Sequence, residues 1–267
     1  MKTQQIHPFI WEASDVDLRA GVSDREFDEI LGHVHDAGAV LFRGQDIDDD
    51  QQIALARRFG LLSGHNAEDR EGFLHGTQGG PRLQRLTNTE GVGRMSELCW
   101  HSDNQHNEFP IRYLMLYGLD LTTQGMPLAG GETLFASAAQ ALHRMPDDLL
   151  EALSASTCLL SAPGRGSFTR PCIGRHWATG APYLLLSELT ESVVGVEPAR
   201  SAELLRRAAE VMYDPRVIYR HVWREGDLIV WDNHLLQHAR AFFDNAQTRV
   251  LRRTAVADDR EPTALAV

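Results

Sequence analysis

The chain has 267 residues, 43% of them hydrophobic and 24% charged, a globular composition with enough apolar material for a sizeable core. Its net charge of -11 excludes a broad nucleic-acid surface, which needs lysine and arginine to displace counterions. Three cysteines, Cys99, Cys158 and Cys172, are odd in number and lack metal-type spacing, which excludes a disulfide framework or zinc ribbon and fits reduced thiols in the cytoplasm. The first residues carry no apolar signal core, and no stretch reaches the roughly 18 apolar residues of a membrane span. The expectation is a cytoplasmic protein, neither exported by a standard signal nor membrane-spanning, folded as a single domain over 1–267.

In chain order, Ser23 and Glu26 form a capping box ahead of Phe27, Ile30, Leu31, Val34 and Ala37 at helical spacing, and Gly38 ends the helix. Ala39 to Phe42 reads as a buried strand, and Asp48 to Phe59 as a second helix stopped by Gly60. From Leu61 to Leu98 the composition turns to Gly, His, Asn and charge around one short strand, Leu83 to Leu86. Loops of that length generally cover a site, so 61–98 is a candidate lid or specificity region, with a solvated connector as the alternative. Strands follow at Ile111 to Leu119 and, after the Gly130-Gly131 turn, at Glu132 to Phe135; Pro146 to Ala155 is a helix. Thr157 to Ser161 and Tyr183 to Leu186 read as strands separated by a glycine-rich loop, and Pro198 opens a helix carrying Leu204, Leu205, Ala208 and Val211. Val217 to Trp223 and Leu228 to Trp231 read as a hairpin turned by Arg224 to Asp227. Arg249 to Val256 is the last strand, and the residues on to Val267 read as frayed. Many short strands with few peripheral helices favour a β-sandwich or barrel over a doubly wound sheet.

The chemistry concentrates at Trp100-His101-Ser102-Asp103. In an extended chain alternate side chains share a face, so His101 and Asp103 can hold one ion between them, and His238 is the candidate third ligand. Two imidazoles and one carboxylate are the ligand set of non-haem Fe(II) oxygenases. Alone, a His-x-Asp pair arises by chance in a chain with 12 histidines. Two rivals stand beside it: the pair His106 and Glu108, just before Phe109-Pro110, and His234, which could share a metal with His238 only across a helical turn. In the last strand, period two puts Arg249, Leu251 and Arg253 on one face and Val250, Arg252 and Thr254 on the other. If the first face lines a cavity, each guanidinium needs an anion; if the strand is an edge, all three arginines are simply solvated.

Taken together and in order, Trp100-His101-Ser102-Asp103, Gly130 to Ala136, Gly226 to Asn233 leading to His238, and Arg249 eleven residues later resemble the taurine dioxygenase-like family of Fe(II)/2-oxoglutarate-dependent dioxygenases. A weaker echo runs from Ala39 to Gly60. The resemblance implies a mainly β fold with flanking helices, the distorted jelly roll or double-stranded β-helix of cupin-like proteins. It implies His101, Asp103 and His238 as iron ligands, Arg249 and Thr133 as contacts of the distal carboxylate of 2-oxoglutarate, and Arg253 and His65 as contacts of the prime substrate. The cofactor would be Fe(II), with 2-oxoglutarate and O2 as cosubstrates and succinate and CO2 released. The partner would be a small anionic molecule, carboxylate-bearing and amino-acid-derived as in natural-product tailoring, that is hydroxylated or desaturated; Asp103 disfavours halogenation. The alternatives are a catabolic dioxygenase of sulfonates or sulfates and a non-catalytic metal-binding jelly-roll sensor. Relatives of this kind also suggest a homo-oligomer. The sequence departs most from the family over Gly72 to Leu98, so substrate identity does not carry over.

Overall fold

A computed structural model describes residues 1–63, 83–88, 97–108, 110–123, 126–162 and 166–257. His65, most of the 61–98 segment and the residues beyond 257 lie outside the described residues. The first half supplies β1 (Lys2–His7), β2 (Ile10–Ser14), α1 (Asp24–Asp36), β3 (Ala39–Phe42), α2 (Asp49–Phe59), β4 (Gln84–Thr87), β5 (Leu98–His101), β6 (Ile111–Asp120), β7 (Thr122–Thr123), β8 (Met126–Pro127) and β9 (Thr133–Ser137). The second half supplies α3 (Ala138–Arg144), α4 (Asp147–Ser154), β10 (Thr157–Ala162), β11 (Gly166–Pro171), β12 (Ile173–Arg175), β13 (Pro182–Leu184), β14 (Thr190–Val193), α5 (Pro198–Met212), β15 (Tyr219–His221), β16 (Leu228–Asp232), β17 (Leu236–Arg240) and β18 (Val250–Ala257). No described helix is long and apolar enough to cross a membrane.

Two sheets make the jelly roll. The larger runs β1-β2-β3-β16-β6-β18-β4 and the smaller β15-β9-β17-β5; within the larger, only the β2–β3 pair is parallel. Strand parity explains the core. On β16, Leu228 and Val230 turn outward into a cluster with Phe27, Ile30 and Val34 of α1 and Leu55 and Phe59 of α2. Ile229 and Trp231 turn inward to meet Leu114, Phe135, Leu236 and Leu251 between the sheets. A strand apolar on both faces is what a helix-covered central position requires. Both helices begin as read: Ser23 with Glu26, and Asp48 with Gln51, form complete capping boxes.

The fold departs from the sequence expectations in several places. The turn at Arg224–Asp227 exists, with Asp227 N–H donating to the Arg224 carbonyl at 3.1 Å, but it does not close a hairpin. β15 pairs with β9 in the small sheet, and β16 pairs with β3 and β6 in the large one. The turn therefore carries the chain between sheets, pinned by Arg43 on Asp227 at 2.5 Å. The loop expected between Thr157–Ser161 and Tyr183–Leu186 contains β11 and β12, which pair with β10 and β13. β1, β2, α3, β14 and β17 were not anticipated. β1 is mostly exposed and polar, so it offers no apolar alternation.

Candidate active site

The small sheet brings the two distant histidines side by side. β17 and β5 pair antiparallel with His238 opposite His101, and their rings lie 4.3 Å apart between centroids. Asp103, just past the end of β5, turns its Oδ1 to His101 Nε2 at 3.1 Å and to His238 Nε2 at 3.9 Å. Among the described residues these three are the group of histidine, cysteine and acidic side chains able to hold a metal ion, all ligand atoms lying within 4.8 Å of one another. His106, Glu108 and His234 stand outside it. Arg170 of β11 pulls the 105–108 segment aside through the carbonyls of Gln105 at 2.9 Å, Asn107 and Glu108 at 3.2 Å. Glu108 is exposed, and His234 stacks on Tyr183 with centroids 5.8 Å apart.

Asp103 and His238 have charge states that suit a cation, whereas at His101 a cation would compete with a proton. The Cys99 carbonyl, 2.8 Å from His101 Nδ1, can only accept, so the hydrogen sits on Nδ1 and Nε2 faces Asp103. Burial opposes charge on His101, yet Asp103 and the Cys99 carbonyl outweigh it and raise its pKa. Burial, reinforced by His101, pushes His238 down to about 3, so this ring is neutral at physiological pH. Burial also opposes ionisation of Asp103, but Arg253 and the two imidazoles hold its carboxyl well below the usual range.

Asn233, read in the sequence only as a turn former, ties the two ligand segments together. Its Oδ1 accepts from the Asp103 N–H at 3.0 Å, and its Nδ2 donates to the carbonyls of Asp103 at 3.0 Å and Ile111 at 2.8 Å. Next to it, buried Asp232 accepts from the N–H groups of His234 and Leu235 at 2.8 and 3.1 Å and bonds His176 at 3.0 Å, fixing the entry to β17. An unusual number of polar residues in one short stretch was the signal available.

The three arginines of the last strand divide as period two requires. β18 is no exposed edge, since β6 and β4 flank it. Arg252 points outward and is buried beneath α2, bonding Gln52 at 2.7 Å, Asp49 at 2.6 Å and the Ile47 carbonyl at 2.7 Å. Arg253 points inward and donates to Asp103 Oδ2. Arg249, just before the strand, is 4% exposed and donates through Nε to the Gly131 carbonyl at 2.9 Å. Gly131 has φ +66°, and a Cβ there would stand 3.1 Å from Arg249 Cδ, so glycine lets the turn cradle this side chain. Burial, aided by nearby Arg240, lowers the Arg249 pKa to about 9. No carboxylate among the described residues pairs with it, and a buried guanidinium in that position suits a carboxylate brought by a ligand. Thr133, 3% exposed, accepts from Trp223 Nε1 at 3.0 Å.

A jelly roll with two imidazoles and a carboxylate converging beside a buried arginine is the arrangement of a non-haem, metal-dependent oxygenase that uses a 2-oxo acid. Comparison with known proteins makes this specific. The chain belongs to the family described as taurine catabolism dioxygenase TauD, TfdA family, whose model matches residues 2–255. The alpha-ketoglutarate-dependent 2,4-dichlorophenoxyacetate dioxygenase of Cupriavidus pinatubonensis is 30% identical, over 95% of this chain and 96% of that protein. Pentalenolactone F synthase of Streptomyces avermitilis is 26% identical, over 92% and 90%. The crystal structure of AAD-2 in complex with Mn(II) and N-oxalylglycine superposes with a TM-score of 0.81 at 24% identity, over 97% of this chain and 98% of that one. The protein is an alpha-ketoglutarate-dependent dioxygenase, of a family that works with Fe(II), 2-oxoglutarate and O2.

Proposed function

We propose that this dioxygenase hydroxylates or desaturates a small carboxylate-bearing molecule, with His101, Asp103 and His238 holding Fe(II) and Arg249 and Thr133 receiving the distal carboxylate of 2-oxoglutarate. The observation that carries the reading is the pairing of a compact ligand group with a buried arginine that no described carboxylate neutralises. Bound Fe(II) would let O2 act as the oxidant, two of its four oxidising equivalents being spent on turning 2-oxoglutarate into succinate and CO2 and two on the prime substrate. The chain's own residues position and exclude. Neutral His238 offers a lone pair without prior deprotonation, Asn233 holds Asp103 in register, and Trp231 and Phe135 wall His238 at centroid distances of 5.1 and 6.5 Å, keeping water from that side.

Arg253 is the residue assigned to the acidic group of the prime substrate. It lies on the same inner face as Arg249, and its guanidinium has five N–H donors, of which Asp103 and Gln84 engage only part. A carboxylate substrate also agrees with the relative named for 2,4-dichlorophenoxyacetate, itself a carboxylate. The test is a screen of small carboxylic acids for substrate-dependent succinate formation, followed by mass analysis of the product. A gain of one oxygen identifies hydroxylation and a loss of two hydrogens desaturation; turnover with sulfonates or sulfate esters and with no carboxylic acid would overturn the proposal.

A further inference from the structure

We propose that Tyr213 is a positioning residue of the metal centre, setting from behind the small sheet the gap between the two imidazoles. The inference rests on the reading of His101 and His238 as ligands given above. β5 is the edge strand of that sheet, only four residues long, and its ladder to β17 slips between His238 and Arg240. Backbone pairing therefore leaves the end of β5 that carries His101 weakly held. Along a strand, neighbours face opposite ways, so Trp100 and Gln237, each preceding a histidine, turn away from the metal together. What they meet there decides where the histidines stand.

Both meet Tyr213. Its ring stacks on the Trp100 indole, centroids 4.9 Å apart and planes at 13°, and its hydroxyl donates to Gln237 Oε1 at 2.5 Å. Each partner is fixed a second time from residues 186–188: Gln237 Nε2 donates to the Leu186 carbonyl at 2.6 Å, and the Trp100 N–H to Glu188 Oε2 at 2.6 Å. Tyr213 is itself anchored. It caps α5 with its N–H on the Ala209 carbonyl at 2.8 Å, while Leu204, Ala208 and Met212 of that helix sit in the core behind the sheet. Burial, then Glu188 and Cys99, raise the pKa of its hydroxyl well above the ordinary range, so it stays a neutral donor. Packing alone needs only a phenyl ring. A buried hydroxyl adds a directional bond, and here it goes to the residue beside His238. With its ring on one ligand strand and its hydroxyl on the other, Tyr213 ties α5 to both.

The test uses the full chain and Co(II) as the probe, reading affinity and the visible spectrum of the bound ion, with thermal unfolding beside them. Tyr213→Phe keeps the stack and deletes the hydroxyl. It should weaken Co(II) binding by about 10-fold, the lower end for groups that support metal ligands, and shift the visible bands. Ser201→Ala is the matched control, deleting one buried bond, from the Val193 N–H at 2.8 Å, at the far end of the same helix. It should lose comparable stability and keep wild-type affinity and spectrum. Two results would overturn the inference: wild-type affinity and spectrum in Tyr213→Phe, or an equal loss of affinity in both variants. If His238→Ala loses the ion while Tyr213→Phe binds it unchanged, only this inference fails. If His238→Ala also binds as wild type does, the reading of the ligands fails with it.

Discussion

Asn233→Ala isolates the link between the two halves of the metal site. The substitution deletes an acceptor for the Asp103 N–H and a donor to two carbonyls, those of Asp103 and Ile111, at 2.8–3.0 Å. Asn233 is fully buried, so these backbone groups lose their partner in a place with little water to replace it. At about 1 kcal/mol for each of these bonds, the cost is about 2–4 kcal/mol. Part of it falls on global stability and part on the alignment of Asp103 with His238; the latter should weaken metal binding by about 10- to 100-fold, the range seen when groups supporting metal ligands are removed. Anaerobic Co(II) or Fe(II) titration beside thermal unfolding separates the two. Asn233→Asp keeps the acceptor but faces a carboxylate toward two carbonyls, so it should not rescue. A variant destabilised as expected yet binding metal with wild-type affinity would refute the idea that Asn233 positions the ligand.

Other consequences are open to direct measurement. Asp103→Ala should abolish succinate production, and turnover that persists would move the carboxylate ligand elsewhere. Arg252→Met removes the buried bonds to Gln52 of α2 and to the Ile47 carbonyl and should cost about 2–4 kcal/mol in chemical denaturation while leaving 2-oxoglutarate affinity intact; a parallel loss of affinity would contradict the assignment of Arg252 to the outer face. Burial, with Arg43, Arg224 and Arg249 nearby, pushes fully buried His221 down to about 3. Its folded pKa is depressed, so its contribution is complete above the unfolded imidazole value of roughly 6.5 and is lost as the pH falls toward 3. Each pH unit in that window costs about 1.4 kcal/mol. Between pH 6.5 and 4.5, wild type should therefore lose about 2–3 kcal/mol more than His221→Gln, and parallel profiles for the two would exclude the mechanism.

α1, α2, α4, α5 and the central strands were legible because each carries one physical signature: a capping box, a helical stripe, a proline at the first turn, or an apolar run covered on both faces. β17 was not, although it holds His238. Its sequence, Leu236-Gln237-His238-Ala239-Arg240, mixes apolar and polar groups on both faces, so the alternation that betrays ordinary strands is blurred. The false hairpin has a similar origin. Arg224 to Asp227 has true turn chemistry, but a turn does not specify which sheet its next strand joins, and β16 is claimed by β3 and β6. Parity in the last strand was legible because arginine is too costly to bury without a purpose, and Arg252 and Arg253 do take separate partners on opposite faces.

The central claim is that His101, Asp103 and His238 hold a single ferrous ion to which 2-oxoglutarate binds. Anaerobic addition of Fe(II) and 2-oxoglutarate, followed by visible absorption and metal stoichiometry, tests it most directly. Wild type should take up one iron per chain and develop a weak charge-transfer band, and His238→Ala should show neither. Full iron uptake with an undiminished band in His238→Ala would contradict it.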